Sequence, residues 1–146
     1  MKPKVYKSEG IDEFMKVEDH LRNIDESIEV IKESIQKGLQ ERQRTIEFNA
    51  SVASVEMLEV FLHQNNIINP GTMLKHEWFS SIRRAKERLN FEFPKKEEIL
   101  TLINSIEQKR NLLCYGKPQP VEAISSILES FNQLKSLFEK GGIKWN

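Results

Sequence analysis

Cysteine is nearly absent from this chain of 146 residues: Cys114 stands alone, so no disulfide can close within it and no Cys-x-x-Cys pair offers a zinc or redox centre. Net charge is absent as well. Twenty-two Lys and Arg balance 22 Asp and Glu, which removes the positive excess that accompanies broad nucleic-acid affinity but leaves room for a local basic patch. No uninterrupted apolar run approaches the roughly 20 residues of a membrane span, and Met1-Lys2-Pro3-Lys4-Val5-Tyr6-Lys7-Ser8 lacks the apolar core of a secretion signal. A cytoplasmic protein with no membrane partner is expected. Glycine-rich phosphate loops, His-Glu-x-x-His and Gly-x-Ser-x-Gly are also missing, and with them the usual signatures of nucleotide hydrolysis, metalloproteases and esterases. Neither a metal nor a cofactor is expected. There is no internal repeat, and strict apolar–polar alternation is missing, so no strand is expected.

What is present is helical periodicity. Phe14, Val17, Leu21, Ile24, Ile28, Ile31 and Ile35 follow one another in steps of 3 and 4, predicting a long first helix that Gly38 ends. A second helix is expected from about Gln40 to His63, with Phe48, Val52, Val55 and Leu62 on one side. Its small residues Ala50, Ser51, Ala53 and Ser54 predict close packing, across a two-fold axis in a dimer. After the turn signals of Asn69-Pro70-Gly71, with Thr72 as N-cap, Leu74, Trp78, Ile82, Ala85 and Leu89 predict a third helix, which Phe91-Glu92-Phe93-Pro94 breaks. A fourth helix is expected from Lys95 to about Leu113, its acids Glu97 and Glu98 suiting the first turn. Pro120 then opens a fifth, carrying Val121, Ile124, Leu128, Phe131, Leu134 and Phe138 up to Gly141-Gly142. The reading is all-α: an antiparallel four-helix up-and-down bundle with an additional short helix. It forms one domain over residues 1–146, with short flexible ends at about 1–10 and 141–146, long enough to bury about two thirds of its unfolded surface.

Three places carry possible chemistry. His63 closes the second helix and His76 opens the third, a weak metal signal without a third fixed ligand; His20, among charged neighbours, is expected to face solvent. Arg83, Arg84, Lys86 and Arg88 lie near Trp78 and Phe79, a mixture able to grip single-stranded RNA by phosphate contact and stacking. The sharpest signal is Arg110. Ile99, Ile103, Ile106, Arg110 and Leu113 form one helical stripe, so a permanent cation stands where a leucine is expected. Such a charge needs an acid, an interface or an anion. Arg110 with Asn111 presents a donor fork and an amide suited to a phosphate, with Cys114 and Tyr115 one turn on; the alternative is a structural ion pair with Glu107, Glu56 or Glu59.

The string Arg110-Asn111-Leu112-Leu113-Cys114-Tyr115-Gly116 resembles the HEPN superfamily of helical-bundle proteins. Its members carry an arginine followed four to six residues later by histidine, often as Arg-Asn-x-x-x-His. The resemblance implies a homodimer whose paired arginine segments line a cleft at the two-fold axis. It also implies RNA or nucleotide binding, in many members metal-independent ribonuclease activity, and often a toxin–antitoxin pairing with a small nucleotidyltransferase. On this pattern Arg110 is the phosphate ligand and transition-state stabiliser and Asn111 its positioning neighbour. Tyr115 occupies the histidine's place. A phenol is almost wholly un-ionised at neutral pH and is a poor base, and loss of a general acid–base group typically costs about 100- to 10,000-fold. The expectation is therefore a binding protein with weak or absent ribonuclease activity. Two rivals stand beside it: a dimerisation scaffold with Arg110 as a buried structural cation, and a competent ribonuclease that recruits His63 or His76.

Overall fold

The computed structural model describes residues 17–143, which are all-helical. The helices are α1 (Val17–Lys37), α2 (Gln43–Gln64), a short 3-10 helix (His76–Ser80), α3 (Ile82–Arg88), α4 (Lys96–Glu107), α5 (Arg110–Tyr115) and α6 (Val121–Lys140). Phe14, the end expected at about 1–10 and, of the end expected at 141–146, residues 144–146 lie outside the described residues; Ile143 is buried in the core.

Helix α2 is the hub. It packs against α1, α4, α5 and α6, and α4 packs in turn on α6. From Ala53 to Leu62 every residue of α2 is buried, so this helix is enclosed on all sides instead of presenting one apolar stripe. Phe48, expected on the core side, is 48% exposed, and the small residues Ala50, Ser51, Ala53 and Ser54 are sealed within the single chain, not held at a two-fold surface. At the far end of the hub Phe61 meets Phe138 and Phe93, with ring centroids 5.4 and 6.5 Å apart; burying a Phe side chain contributes about 1.5–3 kcal/mol.

The buried face of α1 is rotated from the expected seam. His20, Ile24, Ser27, Ile31 and Ser34 face inward at steps of 4 and 3, Val17 and Leu21 are only partly covered, and Ile35 is exposed. Gly38 ends the helix as expected, at φ +126, a conformation that costs a side-chain-bearing residue strain. The third helix is divided: Thr72 caps nothing, a 3-10 turn precedes α3, and Ser81 Oγ accepts from Arg84 N at 3.0 Å as the N-cap of α3. The fourth helix is also shorter than expected. Lys109 N reaches back three residues to Ile106 O (3.2 Å), while Gln108 N and Leu113 N make ordinary four-residue bonds. That tightened turn separates α4 from α5 and resets the direction of Arg110. Pro120 stands one place before its expected position, as the N-cap of α6.

Candidate functional site

The site forms where α2, the end of α4, α5 and the 3-10 helix converge, around the hydroxyl of Ser51. Arg110 Nη1 donates to Ser51 Oγ at 2.7 Å, and Ser51 Oγ donates to Glu107 Oε2. His76 Nδ1 lies 3.1 Å from the same carboxylate oxygen and 3.5 Å from Ser51 Oγ. A guanidinium, an imidazole and a carboxylate are thus arranged about one buried hydroxyl.

Each partner is delivered by a separate element. Ser51 sits on the enclosed hub helix and is fully buried. Glu107 closes α4 with its side chain 6% exposed, Arg110 opens α5, and His76 begins the 3-10 helix with its side chain 38% exposed. The guanidinium of Arg110 lies 5.5 Å from the centre of the Phe48 ring, a cation–π contact that adds to its bond with Ser51. Of its five N–H donors one is used by a protein oxygen among the described residues.

Glu47, one turn before Ser51 on α2, is wholly buried, and neither carboxyl oxygen has a hydrogen-bond partner among the described residues. Burial, reinforced by the nearby Glu107 and opposed by Arg110 and Lys109, pushes its carboxyl up to about 8. A group so shifted is mostly protonated at neutral pH, and Glu107 is the acid linked to Arg110 through Ser51. Cys114 is also buried; loss of solvent, with Glu47 adding to it, raises its thiol above the ordinary range and makes it a poor nucleophile.

Asn111 and Tyr115 are exposed on α5, Tyr115 to 76%, and neither makes a side-chain hydrogen bond among the described residues. Tyr115, Cys114, Phe48, Arg44, Thr45 and Asn49 line a groove of about 410 Å³ that shares the Phe48 ring with Arg110. Arg83 and Arg84 are exposed on α3, Arg83 facing Glu87 at 3.4 Å, and neither bonds to the Arg110 cluster. Of the rest of that basic run, Lys86 pairs with Glu97 (2.5 Å) and Arg88 lies over Trp78.

The acids named as alternative partners divide. Glu107 reaches Arg110 through Ser51, whereas Glu56 and Glu59 belong to a second buried cluster with His20, which is 2% exposed and not solvent-facing. His20 Nδ1 lies 3.0 Å from Glu56 Oε2 and its Nε2 3.7 Å from Glu59 Oε2, and Asn23 Nδ2 donates to Glu56 at 3.2 Å. Desolvation pulls the imidazole down, but the bond to Glu56 and the charges of Glu59, Glu56 and Asp19 outweigh it, and the net shift is upward. His63 and His76 do not meet: His63 Nε2 donates to Thr72 O at 3.1 Å. No group of three His, Cys, Asp or Glu among the described residues has the geometry to hold a metal ion.

Sequence reasoning named Glu107 only as a structural partner and missed Ser51 and Glu47 as site residues. The available signal was Glu107 three residues before Arg110 on the same stretch of chain; Glu47 and Ser51 carried none. Comparison with family models, curated proteins and solved structures found no match.

Proposed function

We propose that this chain is a HEPN-like, homodimeric helical protein that binds RNA, or the phosphate of a nucleotide, through Arg110. The observation that carries the reading is the state of that guanidinium: half-buried, fixed by Ser51 and Phe48, and with most of its donors unused. A cation held only for structure spends its donors on protein acceptors; one prepared for a phosphate keeps them. Asn111 and Tyr115 add an amide and a hydroxyl from the same helix, and Arg83 and Arg84 add exposed charge for flanking backbone. Exposed Phe48, Leu112 and Tyr115 around Arg110 supply the apolar surface of the two-fold interface, in which two such segments face one cleft. Pairing with a small nucleotidyltransferase as a toxin–antitoxin couple belongs to the same reading, as does an up-and-down order of the four long helices.

The test is anisotropy of a fluorescent mixed-sequence RNA in EDTA, with salt varied. Arg110→Ala is expected to weaken binding at least tenfold and to flatten the salt dependence, with a melting temperature close to that of the unaltered protein. Equal affinity of the two forms sinks the proposal.

The scaffold alternative has one observation in its favour, the link of Arg110 through Ser51 to Glu107. If that link is its purpose, Arg110→Ala removes one member of a buried network, costs about 3–5 kcal/mol and leaves RNA affinity unmoved.

A further inference from the structure

We infer a second ligand site, at the end of α2 away from Arg110: a cavity that takes a small apolar molecule carrying one carboxylate head. It is independent of the RNA reading, since none of its residues belongs to the Arg110 cluster.

The cavity, of about 460 Å³, lies where three helix ends meet: the last turn of α2, the first of α4 and the last of α6. Small-ligand pockets occupy the range of roughly 300–1,000 Å³. Phe61 follows Ser51 by ten residues on α2, which sets this cavity about 15 Å along the helix from the Arg110 cluster. The buried Phe61, Ile99 and Phe138, with the half-buried Leu137 and the exposed Pro94, make its walls apolar.

Gly141 leaves one of those walls uncovered. Its φ of −82 is a value that ordinary residues adopt, so the backbone does not require glycine there. Space does. A Cβ at this position would stand 3.2 Å from Cε1 of Phe61 and 3.3 Å from Phe138 O, crowding a ring that lines the cavity.

The polar groups at the mouth select a charge. Lys95, Glu98 and Lys140 are exposed lining residues; Glu98 lies 3.6 Å from Lys95, and Lys140 has no ion-pair partner among the described residues. Glu97, the other acid in the first turn of α4, is matched by Lys86. Two ammonium groups against one carboxylate leave the lining with an uncompensated positive charge. No side chain caps the start of α4, so the partial positive charge of its N–H groups adds to the same mouth. Lys95 holds φ +62, a left-handed conformation that strains a residue with a side chain, and its exposed side chain returns no core packing for that strain. A neutral ligand leaves the charge unmatched and a cation opposes it. A carboxylate matches it, while an alkyl or aryl body fills the apolar interior.

The test titrates the isotope-labelled full chain with octanoate and with phenylbutyrate, beside octanol and octylammonium, and follows amide shifts by NMR. A carboxylate is expected to give saturable shifts centred on Asn65, Glu98 and Gly141, and to bind about tenfold tighter than octanol or octylammonium. The tighter of the two carboxylates identifies the body as alkyl or aryl. Lys140→Glu, at an exposed position that leaves the core intact, should weaken carboxylate binding about tenfold. Leu137→Trp, which fills the interior, should abolish saturation, and Arg110→Ala should leave it unchanged. If Leu137→Trp does not fold, Lys140→Glu decides alone. The assignment is overturned by absence of saturable shifts with both carboxylates, by equal affinity for all four compounds, by shifts centred on Arg110, or by carboxylate binding that Lys140→Glu leaves unmoved.

Discussion

A carboxyl group sealed in a helical core without a partner works against the fold whenever it ionises. Glu47 is such a group, with its ordinary value of 4.5 pushed up to about 8. The folded chain therefore keeps a proton that the unfolded chain has released. The stabilising contribution is complete below about 4.5 and is lost as the pH rises to about 8, a swing of about 5 kcal/mol at most. Glu47→Gln removes the ionisation while keeping shape and polarity. It is expected to raise the melting temperature at pH 8.5 relative to the unaltered protein and to have little effect at pH 5; an equal difference at both pH values in a thermal melt would refute the account. Nothing in the sequence around Glu47 announced this, because a lone acid between Ile46 and Phe48 reads like any other surface charge on an amphipathic helix. His20 misled in the same way. Its charged neighbours suggested solvent, although it lies four residues before the buried Ile24 and so on that residue's side of the helix.

At the scale of elements, helix positions were legible and helix junctions were not. The ends at Gly38 and Gly141-Gly142 followed from residue type, since a chain reversal without a side chain is inexpensive. The gap between α4 and α5 has no glycine or proline to mark it; it accompanies the bond of Arg110 to Ser51 on another helix, a tertiary contact. Nor was a divided third helix visible, because Leu74, Trp78, Ile82, Ala85 and Leu89 keep helical spacing across the break. The loop after α5 is held by a residue with no sequence signature. Gln43, buried at the start of α2, donates to Leu113 O (3.2 Å) and Lys117 O (3.1 Å) and accepts from Gln119 N at 2.8 Å. Gln43→Ala leaves those buried groups unpaired and is expected to cost about 1–3 kcal/mol. Amide hydrogen exchange should quicken first at Gln119; uniform acceleration across the whole chain would argue against a local clamp.

For the whole molecule the most deeply buried of the shifted groups share one sign. Glu47 and Glu59 are raised, chiefly by burial, and each loses its stabilising contribution as pH climbs above the ordinary glutamate value. His20 is raised against its own desolvation by the acids beside it; its contribution is present below 6.5 and is lost as pH rises through the folded value. His63 runs the other way, lowered by burial, but it is only partly buried. Urea titrations should therefore find the chain several kcal/mol more stable near pH 5.5 than near pH 8.5, and a curve flat across that interval would contradict the arrangement. Net charge did not reveal this, because a balance of 22 against 22 says nothing about which acids are buried. The enclosure of α2 also bears on synthesis. Its first neighbour, α1, has already been made when α2 emerges, but α4, α5 and α6 follow tens of residues later. Until they arrive, a helix that the finished fold buries on every side has one face covered and its remaining apolar residues bare, so a half-translated chain is a substrate for holding chaperones and a truncated one is prone to aggregate.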